Sequence, residues 1–225
     1  MATKYQNPEK VEQNIEQVKA VILNNEGKKK PIWITEFGFP TGVNKDGGFV
    51  CSKDNQASIL TGYLALMFVN GVERAVIFNL KDETVAENAL DANSFGLYDV
   101  ACEDGTETIA AKKSVKAIEI MVELDRLVPL EAKRRNVGKG ALFEIVFVDP
   151  EDKSKKVTVF WYTEMIGTGK KDLVNYSDEE TSVVLSVDSE DVYLMDMVGK
   201  ITSPQVYNTS VMVTAGEEPQ YLVEM

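Results

Sequence analysis

Histidine is absent from this sequence. That removes Ser–His–Asp and Cys–His catalysis and every imidazole-based metal site, so any chemistry falls to carboxylates. Cysteine is scarce: Cys51 and Cys102 cannot build a disulfide framework, and the expectation is two free or buried thiols. No apolar run approaches the ~20 residues needed to span a bilayer. The start, Met1–Lys10, is polar and lacks the apolar core of a signal peptide, so a soluble chain is expected, secreted only if a longer parent chain is. Positive charge is short as well. With 24 basic and 36 acidic residues the net charge is −12, which repels nucleic-acid phosphates and anionic membranes and leaves neutral or cationic partners. What is present is ample apolar material: 225 residues at 44% hydrophobic content can hold one large domain or two ordinary ones.

The first half alternates helix and strand. Asn7-Pro8 is a helix start, and Val11, Ile15, Val18 and Ile22 form one apolar stripe that ends at Gly27 and Lys28–Lys30. Pro31–Thr35 reads as a strand buried on both sides, and Glu36–Pro40 leads into the Gly-rich loop Thr41–Gly48. Gln56–Val69 is a second helix closed by Gly71, and Arg74–Leu80 a second buried strand. A loop to Phe95–Asp99 and a third helix, Thr108–Leu127, complete a βαβα pattern, which implies a parallel sheet or barrel.

The period then changes. Beyond Pro129 and the basic stretch Lys133–Lys139, the runs Leu142–Val148, Val157–Tyr162, Ser182–Val187, Val192–Val198 and Val211–Thr214 are rich in Val, Ile, Phe and Tyr. They predict a small antiparallel sandwich, with Phe143, Ile145, Phe147, Val159, Trp161 and Leu194 pointing inward and the alternate positions outward. The expected boundary lies near Leu127–Pro129.

The ordered segments Trp33-Ile-Thr-Glu36-Phe-Gly38, Gln56-Ala57, Gly71-Val-Glu-Arg74, Phe78-Asn-Leu-Lys-Asp82, Phe95-Gly-Leu-Tyr98 and a Lys113-bearing last helix resemble the end of a retaining (β/α)8 glycoside hydrolase. The resemblance covers roughly Asn7–Leu127, and the trailing strands resemble the β-sandwich that often follows such barrels. It implies an α/β plus all-β chain: a partial (β/α)8 (TIM) barrel over residues 1–128 and a β-sandwich accessory domain over 129–225. It also implies a carbohydrate substrate, no cofactor, no metal, and Glu36 as nucleophile at the tip of the seventh barrel strand. Glycosidases work with two carboxylates, about 5–5.5 Å apart in the retaining case. A carboxylate just past a buried strand sits at the C-terminal rim, where barrels of this kind keep their sites. A purely structural Glu36 would solvate the strand end or pair with a lysine.

Further candidates stay open between two roles. Asp82, at the end of the next strand, is a sugar contact or a loop cap. Asn79 interrupts an apolar strand and either holds a sugar hydroxyl or makes an interior hydrogen bond. Phe39 stands at the rim or packs the turn, and Trp33 is expected in the barrel wall. Gly167-Thr-Gly-Lys170 fails as a phosphate loop because Glu164 occupies the first glycine's place. Asn175 and Asn208 match the glycosylation pattern by chance, and Asp188–Asp191 reads as a solvated turn rather than a Ca²⁺ site.

In the family the acid/base glutamate comes from the fourth strand, and nothing upstream of Lys4 supplies it. The chain is therefore expected to be inactive alone, and to form a homodimer through the open half-barrel, bind a missing N-terminal half-barrel, or be an excerpt from a longer chain. The alternatives are a non-catalytic carbohydrate-binding or accessory module, or a structural module in which Glu36 is a relic.

Overall fold

The computed structural model describes residues 8–41, 51–83, 94–164 and 180–225. The chain divides into two compact units, one holding the described residues through Val115 and the other those from Lys116 onward. Helix and strand are mixed, and among the described residues no helix is long and apolar enough to cross a membrane.

The first unit opens with α1 (Pro8–Glu26). Val11 and Ile15 of its stripe are buried and Ile22 is half-buried, but Val18 is 46% exposed, so the predicted face is covered in part. Strands β1 (Ile32–Phe37) and β2 (Val72–Ile77) run parallel, with Trp33 opposite Arg74 and Ile34 opposite Ala75. Between them lies α2 (Lys53–Val69), which starts earlier than the apolar pattern predicts because Ser52 caps it, its side chain accepting from the Asn55 amide. The helix is buried on all sides from Gln56 to Met67, as its continuous apolar sequence requires.

Burial of β1 and β2 on both sides does not hold. Their inner faces turn toward helix, with Val72 buried and Ile32, Ile34, Ala75 and Ile77 half-buried. On the opposite face Trp33, Thr35, Arg74 and Val76 are exposed, Trp33 and Val76 each at 55%. Among the described residues the sheet holds these two strands alone.

The expected third helix is shorter at both ends. Residues 108–111 belong instead to a hairpin of β3 (Tyr98–Glu103) and β4 (Thr106–Ala111), and α3 covers Lys113–Glu123. The hairpin turn is Asp104-Gly105, both at positive φ (50° and 76°), the backbone a two-residue type I′ turn demands.

The second unit is antiparallel, and beyond α3 its described residues contain no helix. A six-stranded sheet runs β10 (Ile201–Thr202), β9 (Val192–Asp196), β13 (Gln220–Glu224), β7 (Lys156–Glu164), β6 (Gly140–Val148), β5 (Val128–Val137). A three-stranded sheet runs β11 (Val206–Tyr207), β12 (Ser210–Ala215), β8 (Thr181–Ser186). The basic stretch at Lys133 lies in β5, which pairs with β6 along its length.

The two sheets share a core of Leu142, Phe160, Tyr162, Val183, Leu185, Val211, Val213 and Leu222. On β6 and β7 these inward residues have the opposite parity from the predicted set. Phe143, Ile145, Phe147, Val159 and Trp161 are buried as well, on the other face, where Phe143 stacks on Trp161 at 4.9 Å. The strands are thus apolar on both faces, and simple alternation could not say which face met the second sheet. Leu194 is partly buried against the shared core.

Candidate active-site rim

Glu36 is the penultimate residue of β1, at the C-terminal end of the parallel pair, and its side chain is exposed. Among the described residues no hydrogen bond or ion pair engages its carboxylate. Of the two structural roles, the lysine pairing is not found among the described residues, and the exposed carboxylate solvates the strand end.

The chain beyond Glu36 is held at nearly every residue. The Phe37 carbonyl accepts from the Phe78 amide at 2.7 Å, which zips the ends of β1 and β2 together. Gly38 lies so close to the next strand end that an added Cβ would sit 1.9 Å from the Phe78 carbonyl oxygen. The Phe39 carbonyl accepts from Gln56 Nε2 at 2.9 Å, and the Pro40 carbonyl from the Cys51 amide at 2.9 Å. Thr41 donates its amide to the Ser94 carbonyl at 2.9 Å, while its Oγ1 accepts from Lys112 Nζ at 2.7 Å.

Asp82 follows β2, on the same C-terminal side of the parallel pair as Glu36. It is 1% exposed, and its Oδ1 accepts from Lys112 Nζ at 2.9 Å and from the Gly96 amide at 2.8 Å. Gly96 is required here too, since a Cβ would come within 2.1 Å of the Asp82 amide nitrogen. Gln56 reaches the same corner: its Nε2 also donates to the Gly96 carbonyl at 3.2 Å, and its Oε1 accepts from Ser114 Oγ at 2.9 Å.

Asn79 is half-buried, exchanging backbone hydrogen bonds with Phe95 and Leu97 at 3.2 Å, and its shielded Oδ1 has no partner among the described residues. Phe39 is 8% exposed and meets Tyr63 of α2 edge-on at 4.9 Å. Trp33 does not pack in a wall: it lies on the open face, with the Arg74 guanidinium 4.5 Å from its ring centroid and its Nε1 donating to Glu73 at 3.4 Å. The residue missed from sequence is Lys112. Its neighbour Lys113 is half-buried 3.5 Å from Asp54, whereas Lys112 is the buried cation of the corner, hidden from pattern reading because the predicted helix ran through it.

Elsewhere, Asp188 pairs with Lys156, and among the described residues no cluster of acidic and Cys side chains is arranged to hold a metal. Asn208 occupies a turn at φ 55° and is exposed, while Gly167–Lys170 and Asn175 lie outside the described residues.

This corner sits in a known fold. A solved family 39 glycoside hydrolase from the gut symbiont Bacteroides cellulosilyticus WH2 matches 94% of this chain with a TM-score of 0.64 and 16% sequence identity. At that identity the likeness is one of fold. The chain spans 38% of that structure's length. An Anoxybacillus alpha-amylase structure matches 74% of the chain at 12% identity and a TM-score of 0.38. No protein-family profile and no curated protein matches the chain.

Proposed function

We propose that Glu36 is the nucleophile of a retaining glycosidase site, and that residues 1–128 form the last part of its barrel, followed by a β-sandwich accessory domain over 129–225. The observation that carries this reading is a glutamate at the C-terminal end of a parallel strand pair, followed by an immobilised rim. Barrel enzymes keep their chemistry at that end of their strands. A fold shared with part of a glycoside hydrolase supports it. Asp82 serves this site from behind, since its Oδ1 is committed to Lys112 and Gly96. Phe39 acts through packing under the rim. Asn79 keeps one unsatisfied acceptor beside the site, for which a sugar hydroxyl is a suitable donor.

The partner carboxyl that protonates the departing oxygen comes from a preceding part of the barrel. Natural glycosides are then not cleaved by residues 1–225 alone, because general acid assistance is worth ~10²–10⁴-fold. An activated substrate separates the two roles. A 2-deoxy-2-fluoroglycosyl fluoride needs no proton donor: a Glu36 carboxylate oxygen bonds to the anomeric carbon as fluoride leaves. Incubation with a panel of such sugars should add one glycosyl mass to the peptide containing Glu36, and nothing to the Glu36→Gln variant. A folded chain that binds the sugars but stays unmodified would favour the carbohydrate-binding alternative. One that neither binds nor reacts would sink the reading.

A further inference from the structure

We infer that the buried pair Lys112–Asp82 is a positioning device that fixes the backbone after Glu36, and so sets how Glu36 presents its carboxylate; its catalytic meaning rests on the reading above. Lys112 and Asp82 side chains are 0% and 1% exposed. An ammonium group has three protons to donate, and Lys112 places acceptors around all of them: Thr41 Oγ1 at 2.7 Å, Asp82 Oδ1 at 2.9 Å and the Ser94 carbonyl at 3.5 Å. The Asp99 carboxylate stands behind at 3.8 Å. One side chain, just ahead of α3, thereby ties the segment leaving β1 to the two segments that follow β2.

Stability alone does not account for such a pair. Removing two charges from water costs about as much as their attraction returns, and apolar side chains of similar volume hold a core equally well or better. What an apolar pair cannot supply is direction. The bonds to Thr41 and Ser94 fix two loops in one register, and Gln56 repeats the arrangement a few residues away by joining Phe39 to Gly96. With Gly38 pressed on Phe78, the turn after Glu36 has no slack toward the neighbouring strand end.

The test uses the full chain with Lys112→Met, Asp82→Asn and the double variant, and Lys116→Met as an exposed control. Each single change strands a buried group and lowers the melting temperature. The double change removes both charges, leaves an amide oxygen at position 82 to accept from the Gly96 amide, and should restore most of that temperature. Amide hydrogen exchange then reads position rather than stability. In the double variant the Thr41 and Leu97 amides should exchange at least tenfold faster, with α2 and the β6–β7 pair unchanged, and trapping of Glu36 by the fluoro-sugar should slow by a similar factor. Unchanged Thr41 exchange, acceleration spread evenly over the first unit, an unfolded double variant, or trapping that keeps its rate while Thr41 loosens would each overturn the proposal. If the native chain is never trapped, the glycosidase reading fails while the exchange result still decides whether the pair holds the turn.

Discussion

Burial pushes the Cys51 thiol up to about 12 from its ordinary 9.0, against a smaller pull from the Lys112 charge nearby. Its sulfur donates to the Pro40 carbonyl at 3.3 Å, so the thiol form is part of the turn after Glu36. Below pH 9 both folded and unfolded chains keep this proton and it adds no pH dependence. Between 9 and 12 the unfolded thiol ionises while the folded one does not, so stability falls with rising pH, by at most about 1.4 kcal/mol per unit from this group. Cys102 is exposed. A thiol reagent at pH 8 should therefore titrate one cysteine in the native chain and two after denaturation, and Cys51→Ser should flatten the alkaline fall in melting temperature. At this scale the sequence was legible where residue type decides: free thiols, and a glutamate at a strand end. It was not legible where a contact decides. Lys112 and Lys113 are adjacent and chemically identical, and only the fold separates a buried cation from a half-buried one.

Among elements, the β3–β4 hairpin carries the clearest lesson. Asp104-Gly105 is a strong hairpin signal, yet Thr106–Ala111 runs into a helix-forming stretch, and helical spacing extended backward hides a strand whose residues are all exposed. β5 is exposed in the same way, since an edge strand tolerates charge on both faces. Elements with a buried partner, such as α2, β6 and β7, were legible within a few residues because their apolar runs leave one solution. Gly105 at φ 76° tests the turn. Gly105→Ala places a Cβ in the left-handed region and should cost about 1 kcal/mol, since glycine alone adopts it freely. Faster amide exchange confined to residues 98–111, with the β6–β7 pair unaffected, is the expected signature; a general loss of protection would mean the hairpin is a foundation of the unit rather than an appendage.

For the whole molecule, the telling fact is that a parallel pair stands open. Parallel strands are almost always covered on both faces, and a two-stranded sheet is marginal by itself. Here one face bears exposed Trp33 and Val76, and both outer edges lack a strand among the described residues. On the proposed glycosidase reading, another part of the barrel is the cover that suits this face, with a second copy as the substitute. Net charge of −12 opposes self-association but acts at long range and is screened by salt, whereas the apolar face is not. Residues 1–225 alone should therefore associate, more strongly as salt rises. Val76→Lys, which puts a charge in the middle of the open face without touching Glu36 or its turn, should shift light scattering toward monomer and leave the melting temperature nearly unchanged. A wild-type chain that stays monomeric in high salt would mean that this face needs no cover.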